Sequence, residues 1–335
     1  MARHPTGIFA WTVDAVPESS LVMASQPGFL GGNDVWIRDL ETKTIEHIFS
    51  ADASDNPLHA GAVRAVAVDL AIAYLPSLGS VATLNPLTGE VYTMLEPSRS
   101  DGVAPFTVDI TADGSLAGAI FLDGTAAMWD GTSGRLLSDL DVSSLGGTQA
   151  MRLSPSGKFF AAGGDNGLLL IDVATGERTS LPAEGAIVNI AFSPDGQMIA
   201  ASDDTFGLLN VYDVADRSRI ASVRIAGSSD PEFTDDGRLL VLAAAQSGVV
   251  AFDTRTWARQ WTIPVQSLPS VVLTLDVAGD RVVFADITGV IQELTLNRAK
   301  LLQIARDRVA RGFTDQECSD FRIDPCPTLE EIRNR

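Results

Sequence analysis

Glycine-tipped turns that recur about every forty residues predict an all-β fold, a seven-bladed β-propeller of four-stranded antiparallel blades. Five such turns end in Gly114, Gly157, Gly196, Gly237 and Gly279, with steps of 43, 39, 41 and 42 residues. Short apolar segments flank each turn, which is the pattern of strand, turn and strand. A regular period of this length indicates a ring of similar units.

The unit Val188–Val223 shows the repeat most clearly. It contains four short strand-like segments, here called a to d in chain order: VNIAF, QMIAASDD, LLNVYDV and RIASVRI. Proline presets the first corner of the a–b turn, and Asp195-Gly196 tolerates left-handed backbone geometry. The same layout predicts further units at about Thr12–Phe49, Ala62–Leu95, Phe106–Leu140, Ala150–Leu181, Pro231–Ile263 and Val271–Leu296.

The last unit contains only three strands before a helical segment begins. The apolar segment Gly7–Val13 (GIFAWTV) precedes the first complete unit and has no partner of its own. We therefore predict that this N-terminal strand closes the last blade, which would leave no open sheet edge. The predicted domains are a propeller over residues 7–296 and a short α-helical C-terminal tail over residues 297–335.

A second turn also repeats, between strands c and d. An aspartate or asparagine closes strand c in six units, and such a side chain can accept hydrogen bonds from the amides of the following turn. Its recurrence favours a structural role over a catalytic one. These residues are Asp39, Asn85, Asp130, Asp172, Asp213 and Asp253.

The net charge of −19 is unevenly placed along the chain. Residues 297–335 hold 8 basic and 7 acidic side chains, which leaves 16 basic against 36 acidic in residues 1–296. A body with a net charge of −20 repels phosphate backbones, so we expect no direct nucleic-acid binding by the propeller. It attracts basic peptides or cations instead, although acidity also serves solubility alone.

No apolar run is long enough to cross a bilayer, and the N-terminus has no apolar core of signal-peptide length. We expect a cytoplasmic monomer without membrane contact. The two cysteines, Cys318 and Cys326, both lie in the tail, eight residues apart. They could close a small disulfide loop, and we interpret them as reduced thiols in a cytosolic setting.

The sequence lacks the common catalytic signatures. It has no Gly-x-Ser-x-Gly elbow, no Walker loop, no His-Glu-x-x-His and no Cys-x-x-Cys, and its only histidines are His4, His47 and His59. We therefore expect no enzyme activity, no cofactor and no metal site. An acidic glycosidase stays open, because two carboxylates suffice for that chemistry.

The b–c turns carry the candidate binding residues. In a propeller these turns share one rim around the mouth of the central channel, where converging carboxylates suit a basic peptide or a divalent cation. The simpler reading is that Asp-Gly and Asp-Asn make good hairpin turns. The glycine-rich insertion Gln26–Asn33 would overhang the same rim. The candidate carboxylates are Asp34, Asp123, Asp165, Asp203, Asp204 and Asp286.

The a–b turns and the strand-c aspartates make the sequence resemble the WD40-repeat family of β-propellers. The resemblance rests on Ser154–Gly157, Phe192–Gly196, Phe233–Gly237 and Trp129-Asp130, and it covers about residues 7–296. The Gly-His dipeptide that precedes strand a in that family is missing, so its buried Asp–His–Ser–Trp network is absent. Quinoprotein-like propellers use similar turns, and Ala251–Trp261 is similar to one of their tryptophan-docking repeats.

The tail begins with a predicted basic helix over residues 297–311, which Gly312 would cap. Thr314 and Glu317 form a capping-box pattern that opens a second helix, and Pro325 and Pro327 end it. The basic helix fits packing of its apolar face on the last blade while its arginines meet the propeller's carboxylates. The alternative is a docking helix for a partner or a nucleic acid.

The tail sequence, LLQIARDRVARGFTDQECSDFRIDPCP, resembles the segment after the propeller in bacterial multidomain signalling proteins. Those proteins join WD40 repeats to transcriptional-activator, cyclase or ATPase modules. The resemblance implies a non-enzymatic interaction scaffold or sensory propeller in a bacterial signalling or transcription-regulatory system, with a protein or basic peptide as partner. The alternatives are an enzyme of the hydrolase or quinoprotein type, or a sensor of a small ligand or cation, at the acidic mouth.

Overall fold

A computed structural model of the chain contains seven four-stranded antiparallel sheets arranged in a ring, which confirms the predicted seven-bladed β-propeller. The structure describes residues 2–5, 12–26, 34–49, 62–75, 78–96, 105–121, 123–203, 205–225, 229–244, 248–264, 272–286, 290–308 and 310–334. Within these ranges, three short α-helices follow the last strand.

The strands are numbered in chain order. The closing strand is β1 (Ala2–Pro5). Blade 1 contains β2 (Thr12–Ala15), β3 (Leu21–Gln26), β4 (Asp34–Asp39) and β5 (Ile45–Phe49). Blade 2 contains β6 (Val63–Ala67), β7 (Leu70–Leu75), β8 (Ser80–Leu84) and β9 (Val91–Met94). Blade 3 contains β10 (Thr107–Ile110), β11 (Leu116–Ile120), β12 (Thr125–Asp130) and β13 (Leu136–Asp141).

Blade 4 contains β14 (Thr148–Leu153), β15 (Phe159–Gly164), β16 (Gly167–Asp172) and β17 (Arg178–Leu181). Blade 5 contains β18 (Ile187–Phe192), β19 (Met198–Asp203), β20 (Leu208–Asp213) and β21 (Arg219–Arg224). Blade 6 contains β22 (Ser229–Phe233), β23 (Leu239–Ala244), β24 (Gly248–Asp253) and β25 (Arg259–Ile263). Blade 7 contains β26 (Val272–Ala278), β27 (Arg281–Asp286) and β28 (Val290–Thr295), and β1 completes it.

The first strand of each blade is the innermost one. These strands contact one another around the whole ring, in the order β2, β6, β10, β14, β18, β22, β26 and back to β2. Because strands in a blade alternate in direction, the a–b and c–d turns share one face of the ring. The b–c turns and the connections between blades share the opposite face.

An N-terminal strand closes the last blade, as predicted, but it is a different segment from the expected one. β1 pairs antiparallel with β28, with Ala2 opposite Glu293 and Pro5 opposite Val290. The prediction of Gly7–Val13 is wrong: residues 6–11 lie outside the described residues, and Thr12–Ala15 is the innermost strand of blade 1. Outer strands such as β9 alternate half-buried and exposed residues, so apolar content does not identify a closing strand.

The middle strands carry the core because each blade packs against a neighbour on both faces. All residues of β11 and β15 are buried, whereas the residues of the outer strand β13 are half-buried and exposed in turn. Two large buried side chains also bond to the connection that leads into their blade. Trp129 Nε1 donates to the carbonyl of Glu96 (2.7 Å), and Tyr212 Oη donates to that of Pro182 (2.6 Å).

The a–b turns have the expected chemistry. In blade 5 the hydroxyl of Ser193 accepts a hydrogen bond from the Met198 amide (2.8 Å) and donates to Asp195 (2.6 Å). Gly196 then takes a left-handed φ of 69°, a conformation that favours glycine. Ser154, Thr111 and Thr234 accept the corresponding amide hydrogen bond in their own blades.

The structural role predicted for the c–d aspartates is confirmed. Asp130 Oδ1 accepts hydrogen bonds from the amides of Thr132 (3.1 Å) and Ser133 (2.9 Å). Asn85 does the same with its amide oxygen, which explains why either residue type serves. The pattern recurs at Asp39, Asp172, Asp213 and Asp253.

The tail contains α1 (Arg298–Arg308), α2 (Asp315–Asp320) and α3 (Leu329–Asn334). Thr314 and Glu317 form the predicted capping box of α2. The third helix was not predicted, although Thr328 and Glu331 exchange the same pair of hydrogen bonds at its start. Gly312 does not take the left-handed conformation of a C-cap. None of these helices is long and apolar enough to cross a membrane.

The tail does not pack as its apolar pattern suggested. No described residue of α1 is buried, and Leu301 and Leu302 are 41 % and 46 % exposed. Among the described residues, α1 makes no ion pair with the propeller. The cysteines differ too: Cys318 and Cys326 form a disulfide, which contradicts the interpretation as reduced thiols.

Candidate functional site in the central channel

The centre of the ring is filled by charged side chains from the innermost strands. We call these residues the channel cluster. Six of the seven blades contribute, because each of their innermost strands carries at least one charged residue. The members are Asp14 on β2, Arg64 on β6, Asp109 on β10, Arg152 on β14, Asp230 and Glu232 on β22, and Asp276 on β26.

Arg64 makes the largest number of these contacts. Its Nη1 lies 3.0 Å from Glu232, 3.3 Å from Asp14 and 3.5 Å from Asp276, and its Nε lies 3.8 Å from Asp109. Four carboxylates from blades 1, 3, 6 and 7 therefore surround one guanidinium. Only side chains directed at the ring axis can meet across so many blades.

Arg152 extends the cluster through Glu232. Arg152 Nη2 lies 3.1 Å from the same Glu232 oxygen that Arg64 contacts. Arg152 Nη1 donates to the carbonyl of Met151 (3.3 Å). The glutamate thus lies between two cations on β6 and β14, although 80 residues separate it from Arg152.

Three carboxylates of the cluster also bond to the backbone of the next blade. Asp109 accepts from the Leu153 amide (2.7 Å), and Asp276 accepts from the Ala15 amide (2.9 Å). An innermost strand has no sheet neighbour on its channel side, so such amides need another acceptor. Asp230 completes the set, since it accepts from the Leu275 amide (3.0 Å) and from the Thr274 hydroxyl (3.2 Å).

Burial changes the acidity of these carboxyls. Desolvation raises the pKa of Asp230 to about 6, and it does the same for Asp276 against the opposing effect of Arg64. Burial also raises the pKa of Asp14 well above its usual value. Desolvation lowers the pKa of Arg64, but the carboxylates around it outweigh this and the pKa ends well above its ordinary value.

The predicted rim carboxylates are exposed at two positions. Asp123 accepts from the amide (3.1 Å) and hydroxyl (2.7 Å) of Thr125, and thereby caps its own hairpin. Asp165 accepts from the Gly147 amide and from Gln149 Nε2, both at 3.0 Å. Both residues combine a role in their turn with an exposed negative charge on the b–c face.

The other rim residues differ. Asp203 is fully buried and accepts from the amides of Thr205 (2.8 Å) and Phe206 (2.9 Å), so its carboxylate is not presented to solvent. Asp34 and Asp286 lie at strand ends, but their side chains are outside the described part of the structure. Asp204 and residues 27–33 of the glycine-rich insertion also lie outside the described residues.

The channel cluster was missed by sequence reasoning, although a signal existed. Asp109, Arg152 and Glu232 each lie five residues before the turn glycines 114, 157 and 237. Ala191 holds the same position before Gly196. A register comparison of the a strands would have shown that this position carries a charge in blades 3, 4 and 6.

The chemistry of the channel cluster is that of ion pairs and hydrogen bonds between fixed charged groups. Within the part of the chain that the structure describes, no group of three or more histidine, cysteine, aspartate or glutamate side chains is arranged to hold a metal ion. Each carboxylate of the cluster contacts a guanidinium or accepts a backbone amide. Such an arrangement fits inter-blade contacts and a negative channel.

Comparison with known proteins supports the fold assignment. The family described as WD domain, G-beta repeat matches residues 177–206, which run from the last strand of blade 4 through the first two strands of blade 5. A solved structure, the crystal structure of a mitotic checkpoint complex, contains a chain that superposes with a TM-score of 0.71. The match covers 88 % of this chain and 90 % of that one at 11 % identity, so it shows the fold alone.

Two curated proteins are similar in sequence. WD repeat-containing protein SL1-17 of Schistosoma mansoni is 32 % identical over 157 residues, which is 44 % of this chain and 50 % of that protein. Meiotic recombination protein rec14 of Schizosaccharomyces pombe is 32 % identical over 108 residues, or 31 % of this chain and 35 % of that protein. The matches span half or less of these relatives, both of which are eukaryotic. They support a WD40-type β-propeller.

Proposed function

We propose that this chain is a non-enzymatic protein-interaction scaffold whose b–c face receives a basic segment of a protein partner. The observation that carries the proposal is the excess of five carboxylates over two guanidiniums in the channel cluster. Asp123 and Asp165 add exposed negative charge on the same face as the b–c turns. Exposed negative charge on this face, together with a channel that is negative overall, attracts and orients cationic segments.

A scaffold role fits the bonding of the channel cluster better than catalysis does. A general acid or base needs a free oxygen directed at substrate. The described carboxylates are instead engaged with Arg64, Arg152 or backbone amides of a neighbouring blade. WD40-type propellers support protein interaction in general, and this inference rests on the fold.

The cellular setting is a further part of the proposal. The resemblance of the tail to bacterial multidomain regulators supports a role in signalling or transcription regulation, as a cytoplasmic monomer. The curated relatives are eukaryotic, so they do not bear on that setting. Disulfides are uncommon in a reducing cytoplasm. Because Cys318 and Cys326 form one, the cellular location of the protein is a direct test of the proposed cytoplasmic setting.

The experiment measures binding of a fluorescent oligolysine peptide to the intact chain at low and physiological ionic strength. The test variant is the double substitution Asp123→Asn with Asp165→Asn. The matched control, Glu177→Gln with Asp216→Asn, removes two charges from exposed c–d turns on the opposite face. We expect weaker binding only in the test variant. Equal loss in both variants would indicate a general charge effect and contradict a site on the b–c face.

The alternative of a small-ligand sensor or an acid–base enzyme has one observation in its favour. The raised pKa of Asp230 and of Asp276, both to about 6, is of the kind that gathers at functional sites. A thermal-shift titration with Ca²⁺ and Mg²⁺ separates this candidate from the scaffold. Saturable stabilisation that Asp230→Asn abolishes would favour the sensor, and a lack of response would favour the scaffold.

A further inference from the structure

Around Arg64, three carboxylates compete for the hydrogens of one nitrogen. Asp14, Glu232 and Asp276 all lie within 3.5 Å of the same nitrogen, Nη1. A guanidinium Nη carries only two hydrogens. Three carboxylate oxygens therefore share two donors, and the remaining negative charge lies between like charges in a desolvated space.

Carboxylates also outnumber guanidiniums in the channel cluster as a whole. The innermost strands β2, β10, β22 and β26 supply Asp14, Asp109, Asp230, Glu232 and Asp276, while β6 and β14 supply Arg64 and Arg152. β18 has no charged residue. If every group is ionised, three negative charges remain uncompensated in the centre of the ring. Burial makes such an excess costly, and binding of protons relieves it.

We propose that the channel cluster is a proton-sensitive device that strengthens the contacts among blades 6, 7 and 1 when the solution becomes mildly acidic. A proton taken from solvent by Asp14, Asp230 or Asp276 removes one negative charge from the channel cluster. The new O–H can donate to a neighbouring carboxylate, while the other oxygen of Asp276 keeps its bond to the Ala15 amide. This inference goes beyond the proposed function and does not depend on it.

The position of the cluster connects it to ring closure. Asp14 lies in blade 1 and Arg64 in blade 2, whereas Glu232 and Asp276 lie in blades 6 and 7. The Asp276–Ala15 hydrogen bond joins residues 261 positions apart in the sequence. Blade 7 is also the blade that β1 completes. Protonation of Asp14 or Asp276 therefore acts where the first and last blades meet.

The direction of the pH effect follows from linkage. The pKa of Asp230 and that of Asp276 are raised to about 6 in the folded protein, above the ordinary aspartate value in an unfolded chain. The folded state therefore binds protons more tightly than the unfolded state. The stabilisation is fully present below the unfolded pKa, near 4, and is lost as the pH rises through about 6.

The test is urea unfolding of the full chain at about pH 5 and about pH 7.5, where each of these carboxyls should change the unfolding constant about tenfold. We expect the wild type to be more stable at the lower pH. In Asp230→Asn, the change in the unfolding constant between the two pH values should be about tenfold smaller than in the wild type. The control Asp216→Asn removes the same charge from an exposed turn and should leave the difference intact. Both variants keep His4, His47 and His59, so histidine titration cancels in the comparison.

Equal pH dependence in Asp230→Asn and Asp216→Asn would overturn the inference. Should Asp230→Asn fail to fold, amide exchange of β28 and β2 in the wild type replaces it. Protection corrected for intrinsic exchange should be greater at the lower pH, and equal or smaller protection would contradict the proposal.

Discussion

The pKa of Asp130 in a c–d turn and the pKa of Asp230 in the channel cluster depart from the ordinary aspartate value in opposite directions. The hydroxyl of Thr132 and the amide of Ser133 lower the pKa of Asp130 to about 2, because they bond to the charged form. Burial raises the pKa of Asp230 to about 6, because desolvation disfavours that form. The same side chain is thus an anion that shapes a turn at one place and a proton acceptor at the other.

The two sets also differ in how they repeat. The turn position is aspartate or asparagine in six blades and makes the same two amide contacts each time. The channel position varies from Asp109 to Arg152, Ala191 and Glu232 in successive blades. A position that serves one blade can be identical in all blades. A position that serves the whole ring must differ between blades, because opposite charges have to meet at the axis.

The largest effect is expected from removal of the central cation. Arg64→Met leaves Asp14, Glu232 and Asp276 without their shared partner, and we expect a loss of about 3–5 kcal/mol in the free energy of unfolding. Arg255→Met, in an exposed c–d turn, should change it by less than about 0.5 kcal/mol. Denaturant unfolding measures both, and similar losses would remove the distinction between channel and turn.

Next in size is the loss of an inter-blade acceptor. Asp109→Ala leaves the buried Leu153 amide without its partner, which should cost about 1–3 kcal/mol. Asp109→Asn retains an oxygen that can accept this bond and should cost less. Thermal or urea unfolding of the two variants tests the assignment. A loss as large for asparagine as for alanine would mean that the charge matters and the amide contact does not.

A turn hydroxyl should contribute less than either. Ser193→Ala removes the acceptor of the Met198 amide in the blade 5 a–b turn, and we expect a loss of about 1 kcal/mol. Ser180→Ala, on the exposed side of β17, is the matched control and should be nearly neutral. Equal stability of both variants in urea would show that the repeated hydroxyl is dispensable.

The smallest effect is confined to strong acid. A carboxyl whose pKa is lowered in the folded state contributes stability above its unfolded pKa, near 4, and loses it as the pH falls towards about 2. Asp130→Asn should therefore reduce the loss of stability below about pH 4 and leave the interval from about pH 5 to about pH 7.5 unchanged. Asn85 already occupies the equivalent turn of blade 2, so the variant should fold. A change in the pH dependence of stability between about pH 5 and about pH 7.5 would contradict the distinction between turn and channel aspartates.

Local chemistry explains what could be predicted from the sequence. The a–b turn at Ser193–Gly196 and the capping box at Thr314 and Glu317 depend on residues within five positions of each other. Their partners are therefore fixed by spacing. The third helix was predictable on the same basis, since Thr328 and Glu331 repeat the capping pattern after Pro327.

The candidate site was predictable only in part. The acidity of the b–c face was inferred from sequence, and Asp123 and Asp165 are exposed there. Their use as a docking site stays a prediction. Asp203 belongs to the same sequence pattern and also bonds to its own turn, but it is fully buried. Spacing places a residue in a turn, but it does not say whether the side chain faces solvent.

The sequence alone determined the number of blades, their order and the chemistry of their turns, because each depends on contacts within a unit of about forty residues. The tertiary structure decided which segment closes the ring and which charges meet at its centre. Ala2–Pro5 pairs with Val290–Thr295, and Arg64 contacts Asp276 from 212 positions away. Contacts over such separations depend on how the blades close into a ring, since the local pattern of either segment is the same with or without its partner.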